Sequence, residues 1–300
     1  MQLAGSTVPM GDLVFHCGDL AIGFEICRDA WVHCRPGAQL AARGAQVLLN
    51  PSASHFAFGK QAVRVNFVLQ ASRDYGVSYA YANLLGNEAG RAIYDGGALI
   101  ASDGKMVARG PRFSLADVVL TCVEVQSSPS DADADLAASV RTPFEIPPVG
   151  QAAGIAETVA LVAQPGGAAL RAGTPAGHPE WEASEHLKRE EFSRAVPLAL
   201  FDYLRKSSAR GFVVSLSGGA DSSAVAVLVH LMMQWAAAEL DAAAIATKLA
   251  GVHFPPTPGE DAAERTAHRV PLACIYQSTE NSSLTTCDAA RAVAEAVGAE

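Results

Sequence analysis

Phe212-Val213-Val214-Ser215-Leu216-Ser217-Gly218-Gly219-Ala220-Asp221-Ser222-Ser223 passes from an apolar run through two adjacent glycines into a helical pattern. Residues 212–216 read as a buried strand, and Ala224, Leu228, Leu231 and Trp235 then recur in helical register. A strand, a glycine turn and a helix form the opening unit of a parallel sheet, so an α/β layered fold is expected. Paired glycines let backbone approach an anion without a Cβ clash, and the helix start offers free N–H groups and a positive dipole end. The serine hydroxyls add donors, and Asp221 has the chemistry to orient the loop or to hold Mg²⁺ beside phosphates. A Walker A loop needs Gly-Lys before Ser or Thr, which is missing here. The plainer alternative is an ordinary tight turn capped by serine.

Upstream of this unit, residues 185–206 carry Phe192, Val196, Leu200 and Tyr203 at helical spacing, with Pro197 as an expected kink and Gly211 as the stop. Further back, 127–182 is rich in Pro, Gly, Ala and acidic residues without a persistent period, as in SSPSDADAD and AGTPAGHPE, and reads as a linker. The first zone alternates short β-type runs (21–26, 45–49, 77–82, 97–101, 118–125) with one helix over 59–75, where Val63, Phe67 and Ala71 mark the apolar face and Gly76 the stop. Asp103-Gly104 reads as a hairpin turn. The expected organisation is therefore 1–126, a linker 127–182, and 183–300. A helix is expected to be still running at Glu300, and a parallel-sheet domain normally needs more chain, so truncation at both ends is expected.

Within the first zone, Gly23-Phe24-Glu25-Ile26-Cys27-Arg28-Asp29-Ala30-Trp31 ends an alternating strand on a cysteine. A thiol at such a corner stands exposed at the top of a sheet, and nearby cations or a helix start turn it into a nucleophile. A buried cysteine acting as a small hydrophobe is the ordinary alternative.

GFEICRDAW resembles the nucleophile segment of the nitrilase (carbon–nitrogen hydrolase) superfamily, in the form found in the glutaminase domains of NAD synthetases. The resemblance extends through VPMGD, NPSASHFAFGK, YANLLGNEAGRAIYDGGALIASDG and RFSLADV. The SGGADSS loop resembles that of the ATP-pyrophosphatase family, and Ser278-Thr279-Glu280-Asn281-Ser282-Ser283 resembles that family's ENSS-type stretch. Together they are similar to glutamine-dependent NAD synthetases. The resemblance implies the C-terminal half of a nitrilase-like α-β-β-α sandwich followed by the start of a Rossmann-like parallel-sheet ATP-pyrophosphatase domain. It implies Cys27 and Ser217 as catalytic residues and Ser54 and Lys60 as glutamine-binding ones. Ser215, Leu216, Ser217, Gly218, Gly219, Ala220, Asp221 and Ser222 are implied around ATP. A turn serine and a solvated lysine remain the bland readings of Ser54 and Lys60. The substrates implied are glutamine, deamido-NAD and ATP with Mg²⁺, with no prosthetic group and with a homo-oligomer when complete. The family's general base glutamate and oxyanion lysine lie upstream of the cysteine, and neither is found here; Glu25 and Lys60 are the wrong groups for those roles. Two alternatives stand beside this reading: a non-catalytic fragment that at most binds ATP, and another amidase-fused ligase of the same loop type.

Composition narrows the classes. Half of the 300 residues are hydrophobic and 18% charged, a profile that buries a core and excludes disorder. A net charge of −9 argues against nucleic acid as a partner. The six cysteines show no CxxC pair, so reduced thiols in a cytoplasmic setting are expected, and His33-Cys34 has no second ligand pair to make a metal site. No apolar run reaches the ~20 residues of a membrane span, and the amino-terminal residues carry no signal-peptide pattern.

Overall fold

The computed structural model describes residues 2–3, 6–7, 11–18, 20–88, 90–125, 180–252, 269–280 and 282–299. Most of the expected linker, together with Asn281, falls outside them. Two short strands, β1 (Gln2–Leu3) and β2 (Ser6–Thr7), pair antiparallel. The first zone is then built on a six-stranded sheet of β3 (Phe15–Cys17), β4 (Leu20–Phe24), β5 (Val47–Ser52), β6 (Ser78–Asn83), β9 (Leu99–Ser102) and β10 (Lys105–Arg109), in the order β10-β9-β6-β5-β4-β3. β4, β5 and β6 run parallel, because helices α1 (Pro36–Ala42) and α2 (Lys60–Tyr75) make the crossovers, while the outer strands are joined antiparallel. Asp103 and Gly104 take φ of 51° and 70°, which closes the β9–β10 hairpin as expected. A separate hairpin, β7 (Leu85–Glu88) with β8 (Ala92–Asp95), projects toward the second zone.

The second zone comprises α3 (Leu187–Ser207), β11 (Phe212–Ser215), α4 (Ala220–Glu239), α5 (Ala242–Lys248), β12 (Leu272–Ile275) and α6 (Leu284–Val297), with β11 and β12 parallel. The molecule is thus mixed α/β with parallel strands in both zones.

Several expectations are corrected. Residues 118–125 form no strand, and Val118 and Leu120 stand exposed. α3 is ended by Ser208, at φ 57°, before Gly211. Its buried stripe is Glu191, Ala195, Leu198, Phe201, Asp202 and Leu204, leaving Phe192 and Tyr203 exposed, because two carboxylates occupy core-facing positions that an apolar pattern skips. On α4 the buried residues are Ala226, Val229, Met232, Met233 and Ala236, one step round from the expected register; a helix apolar on most sides does not announce its inner face. On α2, Arg64 is buried and Val63 exposed. β11 is only half-buried, with Val213 69% exposed, since among the described residues β12 alone pairs with it. α6 stops at Val297, where Gly298 takes φ 68°.

Two hydrophobic cores form among the described residues. One gathers Leu48, Val68, Tyr79, Tyr81, Leu99 and their neighbours around the large sheet. The other gathers Leu198, Phe201, Met232, Ile245 and Leu272, and also takes Phe113 and Leu115 from the end of the first zone.

Candidate functional site

Cys27 lies three residues past Phe24, the end of β4, at φ 48°, and opens a short 3₁₀ turn (Cys27–Trp31). A non-glycine residue in the left-handed region is costly, so the turn must be held from both sides. Asp29 does part of this by accepting the Ile26 N–H at 2.8 Å. Behind the corner, Glu25 is fully buried and saturated: it accepts Arg35 Nη2 at 2.5 Å, Tyr79 Oη at 2.7 Å and the Gly37 N–H at 2.8 Å. This carboxylate fastens β4 to α1 and β6, and burial beside it pushes the Tyr79 phenol well above its ordinary range.

Lys60, the first residue of α2, donates from Nζ to the His55 carbonyl at 2.9 Å and lies over the Trp31 ring at 5.6 Å. Burial, then repulsion from Arg64, lowers its pKa. Ser54 is buried one loop earlier. Its N–H donates to Asn83 Oδ1 at 2.8 Å, and its carbonyl accepts Asn83 Nδ2 at 2.9 Å and Arg64 Nη2 at 2.7 Å. Cys27, Lys60 and the Ser54 loop therefore share one end of the large sheet.

The glycine loop lies in the other zone. Leu216 is buried and its N–H donates to the Ile275 carbonyl at 2.9 Å, extending the β11–β12 pairing to the loop's edge. Gly218 has φ 78°, and a Cβ there would collide with the Thr286 carbonyl of α6, so only glycine fits on both counts. Ser217 and Ser222 face each other, Oγ to Oγ at 3.1 Å, and Ser223 Oγ donates to the Gly219 carbonyl at 2.7 Å. Asp221 is exposed in the first turn of α4, where the leading N–H groups have no intrahelical acceptor. Ser215, Gly219 and Ala220 are exposed around it. In the 278–283 stretch, Thr279 N–H donates to Ser282 Oγ at 2.8 Å and Ser283 caps α6.

Residues 193–292 match the protein family described as NAD synthase. The glutamine-dependent NAD(+) synthetase of Bos taurus is 33% identical over 97% of this chain and 40% of its own length, and that of Homo sapiens is 32% identical with the same coverage. Among solved structures, a glutamine-dependent NAD(+) synthetase from Cytophaga hutchinsonii is 34% identical with a TM-score of 0.66, covering 100% of this chain and 41% of that one. This chain is a relative of the glutamine-dependent NAD(+) synthetases. It spans about 40% of the length of the synthetases it matches. The synthetase from Acinetobacter baumannii, solved with adenosine diphosphate, is 16% identical with a TM-score of 0.57 and agrees in fold.

The residues that tie the two halves together lie outside both motifs. Asp95 accepts both Arg64 and Arg112, and Arg112 Nη2 also donates to Glu191 Oε1 of α3 at 2.8 Å. The available signal was a lone arginine inside the apolar spacing of α2.

Proposed function

We propose that this chain carries the thiol wall of a glutaminase site and the ATP-phosphate loop of an amide-forming ligase, which together serve glutamine-dependent NAD synthesis. The observation that supports this best is the thiol of Cys27, presented at a left-handed corner of the turn Cys27–Trp31, with the Lys60 ammonium over the Trp31 ring of the same turn at 5.6 Å. In this reading the Cys27 sulfur bonds to the side-chain carbonyl carbon of glutamine. The tetrahedral adduct then expels its nitrogen, which takes up a proton and leaves as ammonia. Water cleaves the resulting thioester to glutamate and restores the thiol. Lys60 pairs with the glutamine α-carboxylate and Ser54 with its polar end. Glu25 is no candidate for the general base, since Arg35, Tyr79 and Gly37 already take its oxygens.

At the second site the backbone of 215–222 and the hydroxyls of Ser217 and Ser222 cradle the ATP phosphates. The deamido-NAD carboxylate attacks the α-phosphorus, pyrophosphate leaves, and ammonia then displaces AMP from the mixed anhydride to give NAD. Asp221, an exposed oxygen donor at a phosphate-facing helix start, fits Mg²⁺, whose chemistry there is neutralisation of phosphate charge.

The deciding experiment uses the intact protein. Cys27→Ala is expected to abolish glutamine-dependent NAD formation and leave ammonia-dependent formation unchanged, whereas Asp221→Ala removes both. Loss of ammonia-dependent synthesis in Cys27→Ala contradicts a two-site scheme, and no synthesis from either nitrogen source in the unaltered protein favours a non-catalytic chain.

A further inference from the structure

Four charged side chains run in alternating sign from the Ser54 loop into the second zone. They are Arg64 of α2, Asp95 at the end of β8, Arg112, and Glu191 of α3, with side chains 0%, 1%, 2% and 1% exposed. Arg64 gives Nη1 to both Asp95 oxygens, at 2.8 and 2.9 Å, and Nη2 to the Ser54 carbonyl at 2.7 Å. Asn83 links the same two groups, donating from Nδ2 to the Ser54 carbonyl and, at 3.3 Å, to Asp95 Oδ1. On its other oxygen Asp95 accepts Arg112 Nε at 3.0 Å, and Arg112 Nη2 reaches Glu191 at 2.8 Å. Glu182 adds a second, longer ion pair to Arg112 at 3.6 Å.

One carboxylate thus holds two guanidiniums in a water-poor setting, a balance that works only while the fourth charge, Glu191, shares Arg112. The second oxygen of Glu191 is buried without a hydrogen-bond partner, and Glu191 lines a cavity of about 250 Å³ together with Gln61, Arg109 and Arg112. Glu191 is therefore held by Arg112 on one side only, and its position depends on how α3 is seated.

We propose that Asp95, Arg112 and Glu191 are positioning residues for the glutamine pocket, and that α3 of the ligase-like zone braces the Ser54 loop through them. Arg64 is also one helical turn past Lys60, so the same brace sets the two groups that face the amino-acid end of the substrate. The consequence is that glutamine affinity responds to a residue in the other zone that touches no substrate. This rests on the glutaminase reading given above.

The test is protection of Cys27 from alkylation by iodoacetamide as glutamine is raised, followed by mass spectrometry on the intact protein. Glu191→Ala is expected to raise the half-protecting glutamine concentration about tenfold, while the alkylation rate without glutamine stays within about twofold. Glu191→Gln keeps an acceptor for Arg112 and is expected to restore most of the affinity. Asp95→Asn is expected to act in the same direction as Glu191→Ala, with its folding checked by circular dichroism. An unchanged half-protecting concentration in Glu191→Ala overturns the brace. Equal weakening by Ala and Gln also overturns it, because the retained acceptor would then be irrelevant. Failure of glutamine to protect the unaltered protein overturns the glutamine reading itself, a result separable from the other two.

Discussion

Cys27 combines a nucleophilic atom with a backbone that its own side chain disfavours. At φ 48° an L-residue pays about 1–2 kcal/mol that glycine does not. Cys27→Gly is therefore expected to be more stable than Cys27→Ala by about 1 kcal/mol, even after allowing for glycine's freer unfolded chain. Urea denaturation of the two variants measures this, and an alanine variant of equal or greater stability means that the corner holds no strain. Lys60 supplies a second test at this scale. Burial and Arg64 lower its pKa from 10.5, so its charge disappears at a lower pH than that of a free lysine. Glutamine affinity, measured by calorimetry on Cys27→Ala to prevent turnover, is expected to fall as pH rises through that lowered value. Affinity that holds flat up to 10.5 means that Lys60 does not meet the carboxylate.

At the scale of elements, α2 was readable at both ends because glycines mark it: Gly59 at φ 76° and Gly76 at φ 62°. The strands β4, β5, β6 and β9 were readable to within two or three residues, since β-branched and aliphatic runs bounded by turns carry their own signal. The faces of α3 and α4 were not. α3 buries Glu191 and Asp202 against partners far off in sequence, and such pairing leaves no local trace. The docking of α3 on β7 is close: Asp202 Oδ2 accepts the Asn87 N–H at 2.6 Å, and a Cβ on Gly86 would come within 2.5 Å of the same oxygen. Gly86→Ala is accordingly expected to destabilise by more than about 2 kcal/mol. Gly90→Ala is the control, because Gly90 shares a positive φ of 77° yet has open space around its Cβ position. It should cost only the backbone strain, about 1 kcal/mol. Equal losses at the two glycines would show that β7 and α3 separate freely.

Over the whole molecule, the two candidate sites stood out in the sequence because each is a compact local motif, a cysteine corner and a glycine loop. Their joining did not, because it depends on single polar and charged residues scattered from Asn87 to Lys248. Asp202 receives Asn87 N–H, Arg205 and Lys206, while Asp117 pairs with Arg205 at 3.2 Å and with Lys248 at 2.5 Å. Burial alone raises the Asp202 pKa, but the hydrogen bonds from Lys206, Asn87 and Arg205 prevail and hold it below the ordinary carboxylate value of 3.8. Asp117 is likewise held below that value, mainly by its hydrogen bond from Lys248. A carboxylate whose folded pKa is depressed binds fewer protons folded than unfolded, so its stabilisation is fully present above the unfolded pKa and drains away as pH falls through the folded one. Asp202→Asn is thus expected to lose about 2 kcal/mol at pH 7, and the gap from the unaltered protein should begin to close only below the unfolded carboxylate value. Urea titrations at pH 7, 5, 4 and 3, followed by tryptophan fluorescence, read this gap, since the Trp181 ring packs at a tilt against Phe113 where the zones meet. A gap that stays constant down to pH 3 would mean that the charge of Asp202 does not hold the zones together, leaving shape and the apolar contacts of Phe113 and Leu115 to do so.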